Sequence, residues 1–295
     1  MNEPGYLQLS QEELCRRSEL LLEGLESCTI CPRHCRVDRT AGQTGDCRTG
    51  RQAVVASVQL HFGEEPEISG TQGSGTIFFS HCNLHCQFCQ NHDISQTGYG
   101  ALVSPQEMAN MMLNLQERGA HNINLVTPSH VIPQIVEALC LAVPKGLNLP
   151  LVYNSGGYDE AATLQMLEGI FDIYMPDFKT LSPDVAAEYL EAPDYPSAAT
   201  QALTEMHRQT GLLQTDKDGI AVKGLLIRHL VMPGCLEDTR RILTWIADHL
   251  SPQVHVNIMG QYHPAFRARQ HPSLAKSLTL QEYQQALTLQ KEILK

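Results

Sequence analysis

The sequence predicts an α/β fold built on a parallel sheet. Short apolar, β-like runs alternate with longer helix-like runs from about residue 76 onward, and six such strands can be counted. Alternation of this kind means parallel strands joined by right-handed crossovers. The strands are apolar along their length, as expected for a sheet covered by helices. Six units fall short of the closed eight-unit barrel. A curved, partial (β/α)6 barrel and a flat doubly wound sheet both satisfy the pattern, and in either one ligands gather beyond the C-terminal ends of the strands.

The first strand is "TIFFS" (76–80). A helix follows over 105–118, with Ser104 as N-cap, Pro105 in the first turn and Glu107 at the capping-box position. "NINLVT" (122–127) is a strand and 131–143 a helix that tolerates Pro133 near its start. "PLVYN" (150–154) is a strand, 159–169 a helix ending at Gly169, and "FDIYM" (171–175) a strand. Residues 182–211 read as helical pieces broken by "APDYPS". "GLLIRHLVM" (224–232), a helix over 236–250 and "VHVNIM" (254–259) complete the alternation. Residues 1–71 are expected to form an N-terminal helix and a cysteine-rich extension, 72–265 the core, and 266–295 a C-terminal helical extension.

The 295 residues carry a net charge of -11, which disfavours generic nucleic-acid binding. No apolar run reaches the roughly 18 residues that span a bilayer. The acidic start "MNEPGYLQLSQEEL" lacks the pattern of a secretory leader, so a cytoplasmic protein without membrane contact is expected. Arg33, Arg36, Arg39, Arg48 and Arg51 cluster against Asp38 and Asp46. They form either a solvated loop or cationic surroundings for something anionic.

Of ten cysteines, seven fall in two groups, Cys28/Cys31/Cys35/Cys47 and Cys82/Cys86/Cys89. In a reducing compartment clustered thiols read as metal ligands before disulfides. Cys140, in "IVEALCLAV", reads as a buried core residue. The second group, "SHCNLHCQFCQNH" (80–92), has C-x3-C-x2-C spacing directly after the first strand. Structural zinc takes four ligands and a closed shell. Three thiolates in one loop instead suit three irons of a four-iron cube, with the fourth iron open to a substrate. Zinc on these three and one of His81, His85 or His92 is the competing reading. The four-cysteine group fits a closed zinc site, a saturated iron–sulfur cluster or no metal, and Gly42 and Gly45 suit tight turning toward its sulfurs.

The three-cysteine motif, with Phe88 before its last cysteine and a six-unit α/β pattern after it, resembles the radical SAM superfamily. The resemblance spans about 72–265. It is nearest to activating enzymes of glycyl radical enzymes, and "CTICPRHCRVDRTAGQTGDC" resembles the PflX-like branch of pyruvate formate-lyase-activating enzyme homologues. It implies a partial (β/α)6 barrel. It also implies a [4Fe-4S] cluster on Cys82, Cys86 and Cys89 whose open iron binds S-adenosylmethionine. Reductive cleavage then gives a 5'-deoxyadenosyl radical that abstracts hydrogen from a substrate, here a protein glycine, another peptide or a small molecule. Flavodoxin or ferredoxin is the electron donor implied.

On the matching segments, the resemblance implies cosubstrate contacts by Phe88, by Asp177 and Lys179 in "DIYMPDFK", and by Asn154 and Ser155 in "LVYNSGGY". It adds Arg228 in "IRHLVMPG" and His263 in "IMGQYHP". For Asp177 and His263 the plain alternatives are a turn residue and a loop histidine. Many members carry Gly-Gly-Glu after the second strand to hold the cosubstrate amino group. Here "NLVTPSH" leaves Thr127, Ser129 or backbone groups to do so. No catalytic residue is assigned. An electron-transfer or cluster-carrier protein without radical chemistry, and a zinc-ordered binding module, are the competing functions.

Overall fold

In the computed structural model, which describes residues 3–294, six strands run parallel in chain order. They are β2 (Ser74–Phe79), β4 (Ile123–Val126), β5 (Leu151–Ser155), β6 (Ile173–Pro176), β8 (Ala221–Leu230) and β9 (His255–Met259). These are the six units of the sequence pattern. These strands neighbour one another in chain order without the reversal that a doubly wound sheet carries, and the sheet stays open, so the partial barrel is the observed solution. Three antiparallel strands were not foreseen. β1 (Ala53–His61) pairs with β2, β3 (Ala101–Val103) pairs with β1, and β7 (Gln214–Thr215) pairs with β8. Residues 53–61 therefore belong to the core sheet.

The helices form where local chemistry directs. Pro105–Glu117 starts at Ser104 with both halves of the expected capping box in place. Ile132–Ala142 is apolar on most of its surface and lies buried, because the N-terminal helix Gln11–Glu23 covers its outer side. The helix expected over 159–169 spans only Ala161–Met166, since Asp159 is drawn inward to accept from Tyr153 and Ser155. The 182–211 region is two helices, Pro183–Leu190 and Tyr195–Thr210. The break comes at Glu191, which takes a left-handed φ of 53°. Leu236–His249 and Leu280–Ile293 pack together outside β9.

The strands bury Ile77, Leu125, Tyr153, Tyr174 and Ile227 completely. One end of the parallel sheet is plugged by Glu64 and Glu65, from the segment between β1 and β2. Glu64 accepts from Asn124 and Asn154 at 3.3 Å each, and Glu65 accepts from Asn257 at 2.8 Å. Among the described residues no helix is long and apolar enough to cross a membrane.

Candidate active site

The loop 80–92 leaves β2 at its C-terminal end and carries the three thiols to the mouth of the sheet. Cys86 and Cys89 line a cavity of about 230 Å3. Its remaining wall includes Phe88, Gln90, Asp177, Lys179, Arg228 and Met259. Strand direction explains this: β6 delivers Asp177 and Lys179, and β8 delivers Arg228, at adjacent strand ends.

These three charges form one connected group. Asp177 accepts from Lys179 Nζ at 2.6 Å and from Arg228 Nε at 2.9 Å. Arg228 also reaches Glu64 at 3.2 Å and Asn154 at 2.7 Å. Burial would raise the Asp177 carboxyl, but the charges of Arg228 and Lys179 outweigh it and hold the carboxyl below its ordinary range. Burial opposes the Lys179 ammonium, yet Asp177 and Cys86 beside it raise its pKa. Gly157 permits this packing. It sits at a φ of 76°, and a Cβ there would stand 2.1 Å from the Asp177 carbonyl oxygen.

Of the other residues implied by the resemblance, Phe88 stands in the wall and the rest lie around the cavity. Asn154 is committed to Arg228 and Glu64. Ser155 donates to the buried Asp159 at 2.6 Å, and Ser129 is itself buried. Thr127 is half-buried at the end of β4, with a left-handed φ of 61° that a β-branched residue adopts only at a cost. His263 is exposed and meets the cavity wall through Gln90 and the Gln261 carbonyl, each 3.3 Å from its Nδ1. Phe88 is buried against the Tyr262 ring, with centroids 6.1 Å apart. Glu64 was missed, because "GEEPE" carries no motif and its placement depends on the β1–β2 connection. Leu230, Met232 and Met259 were also missed as an apolar wall, because they read as ordinary strand residues.

The donor set fits an iron–sulfur cluster. Burial pushes the Cys86 thiol up to about 12 and raises Cys82 as well, so each thiolate needs a bound cation. The Leu84 N–H points at Cys82 Sγ from 3.4 Å, and Ser95 Oγ lies 3.2 Å from Cys89 Sγ. The zinc reading does not fit. Among the described residues no three His, Cys, Asp or Glu side chains converge closely enough to share one ion. His85 spends its two ring nitrogens on Gln96 and Asp46.

A partial parallel barrel with three soft ligands at its mouth, beside a charged cavity, defines a protein that presents an incompletely ligated metal cluster to a small molecule. Sequence comparison is specific on the point. The family model described as the Radical SAM superfamily matches residues 76–211. "Uncharacterized protein MJ0674" of Methanocaldococcus jannaschii is 30% identical over 272 residues, covering 90% of this chain and 74% of that protein. The chain belongs to the radical SAM superfamily. Membership implies a [4Fe-4S] cluster and S-adenosylmethionine, and makes the chain a radical SAM enzyme in general terms.

Proposed function

We propose that this radical SAM enzyme abstracts hydrogen from a peptide or protein backbone, in the manner of the activating enzymes in whose PflX-like branch we place it. The cavity beside Cys86 and Cys89 carries the reading, because it joins the open side of the thiol set to paired cations. When bound there, a reduced cluster and S-adenosylmethionine supply a 5'-deoxyadenosyl radical. Cys82, Cys86 and Cys89 hold the cluster. Lys179 and Arg228 provide positive charge for the cosubstrate carboxylate, while Asp177 fixes both and keeps that charge local. Phe88, Leu230, Met232 and Met259 give the adenosine an apolar wall that excludes water. With Ser155 taken up by Asp159 and Ser129 buried, Thr127 and neighbouring carbonyls are left for the amino group.

A polar groove favours a polymeric substrate. It is lined by His85, Gln87, Gln96, Glu191, Phe266 and Arg267, and so shares the cysteine loop with the cavity. Such a surface suits an extended chain with exposed amides. A flavodoxin or ferredoxin in a reducing cytoplasm is the matching electron donor, in keeping with ten free cysteines. The test uses peptides with α-deuterated glycine, incubated anaerobically with reduced enzyme and S-adenosylmethionine. Deuterium is expected in the 5'-deoxyadenosine. Label transfer from small metabolites but from no peptide would contradict the reading.

A further inference from the structure

We infer that Cys28, Cys31, Cys35 and Cys47 hold a second iron–sulfur cluster, rather than a single zinc ion or no metal. All four line one small enclosed cavity, together with Arg33, Arg39 and His130. They come from one irregular segment whose turns are built around the sulfurs. Cys28 N–H bonds the Val37 carbonyl, Arg36 N–H bonds the Cys28 carbonyl, and Asp46 N–H points at Cys35 Sγ from 3.3 Å. Gly45 is required there, because a Cβ would stand 2.7 Å from Cys35 Sγ.

The spacing of the sulfurs separates a cluster from one ion. Four thiolates on one zinc stand about 2.3 Å from its centre, closer than any nonbonded contact. A site shaped for that ion has no room at its middle. Here the cavity holds about 10 Å3, room for one water-sized sphere. Among the described residues no three of the thiols are grouped so as to hold one ion. The same signature marks Cys82, Cys86 and Cys89, where membership in the superfamily already implies a four-iron cluster.

The polar wall points to an anionic occupant with many acceptors. Arg39 is only 1% exposed and forms no ion pair among the described residues. It spends its guanidinium on the Gly50 and His130 carbonyls and lies 3.7 Å from Cys28 Sγ. A buried cation without a counter-charge is costly. Arg33 Nη2 is buried with no partner, as is His130 Nδ1, the other ring nitrogen being bonded to the Ser80 carbonyl. Four thiolates around iron and bridging sulfide supply both the negative charge and the acceptors these groups lack.

The second site adjoins the first. Arg33 donates to the Asn83 carbonyl at 2.8 Å, and the Asn83 side-chain oxygen lies 3.9 Å from Cys82 Sγ.

The test removes the first site. A Cys82→Ala/Cys86→Ala/Cys89→Ala chain is reconstituted anaerobically, its iron, sulfide and zinc are counted, and its EPR spectrum is recorded after reduction. About four iron with equal sulfide per chain are expected, with a reduced-cluster signal that disappears on adding Cys31→Ala. Two iron with two sulfide would be a smaller cluster of the same class and also supports the inference. One zinc without sulfide, or no metal, overturns it. Should that triple variant not fold, Cys31→Ser/Cys47→Ser in the otherwise natural chain gives the converse reading. Iron then falls from about eight to about four per chain, whereas natural protein already at four iron overturns the inference. Failure of the radical reading would lower the iron of the natural chain and leave the triple variant unchanged.

Discussion

The two cysteine groups differ in what completes their surroundings. Cys82, Cys86 and Cys89 stand at the ends of the parallel strands, beside a cavity of about 230 Å3 walled partly by charge. Cys28, Cys31, Cys35 and Cys47 enclose about 10 Å3, with buried arginine and histidine closing the space. One group has fewer ligands and more room; the other has a full set and almost none. A missing ligand is thus matched by space for a reactant, and a complete set by a shut wall. Sequence spacing alone shows the ligand counts. The fold shows that the open group faces the strand ends, where Lys179 and Arg228 wait.

The largest expected difference comes from emptying each group in turn. Cys86→Ala should abolish 5'-deoxyadenosine formation. Cys31→Ala should leave S-adenosylmethionine cleavage within a few-fold of the natural chain while turnover of the true substrate falls; chromatography of both products checks this. Complete loss of cleavage in Cys31→Ala would merge the two sites into one functional unit.

Next in size is Asp177→Asn, which leaves Lys179 and Arg228 without their shared carboxylate. About 3 kcal/mol of stability should be lost, as when one partner of a buried pair is removed, with weaker cosubstrate binding. Burial works to raise the Asp177 carboxyl, but the two cations hold it low. Its contribution is therefore complete above the unfolded value of about 4 and fades as pH falls through the lower folded value. Urea unfolding across acidic pH should show a flatter acid limb in Asp177→Asn than in the natural chain.

A smaller effect sharpens the closed group. Gly45→Ala forces Cys35 aside and should cost about 1–2 kcal/mol. Iron at the second site should fall while S-adenosylmethionine cleavage persists. An unchanged iron count would show that the close approach does not matter. The smallest effect lies between the groups. Asp46 accepts from His85 at 2.8 Å and pairs with Arg33 at 2.9 Å, tying the two loops at the surface. Asp46→Asn should cost about 0.5 kcal/mol by thermal melting, and a loss several times larger would mean that the tie holds the loops in register.

Much of this arrangement was readable before folding. The six parallel strands declared themselves because each is an apolar run bounded by turn residues, and the Ser104–Glu107 capping box was written in the sequence. β1 escaped notice because its burial alternates and polar Ser57 and Gln59 interrupt it. Its register against β2 brings Glu64 beneath Arg228, a contact 164 residues apart that no local pattern encodes. The Arg33 and Arg39 environment was half legible. Clustered arginines suggested an anion, and only packing showed that these two face the sulfurs while Arg51 pairs with Glu137. Ser129 and Ser155 matched the cosubstrate segments by position, but the buried Asp159 that takes up Ser155 is a tertiary feature.

The most direct test of the account is production of 5'-deoxyadenosine from S-adenosylmethionine by the anaerobically reconstituted, reduced chain, measured beside Cys86→Ala with iron and sulfide counted on both. The account predicts product from the natural chain and none from the variant. Equal product from both, or none from a natural chain carrying its full iron in the presence of substrate peptide, would contradict it.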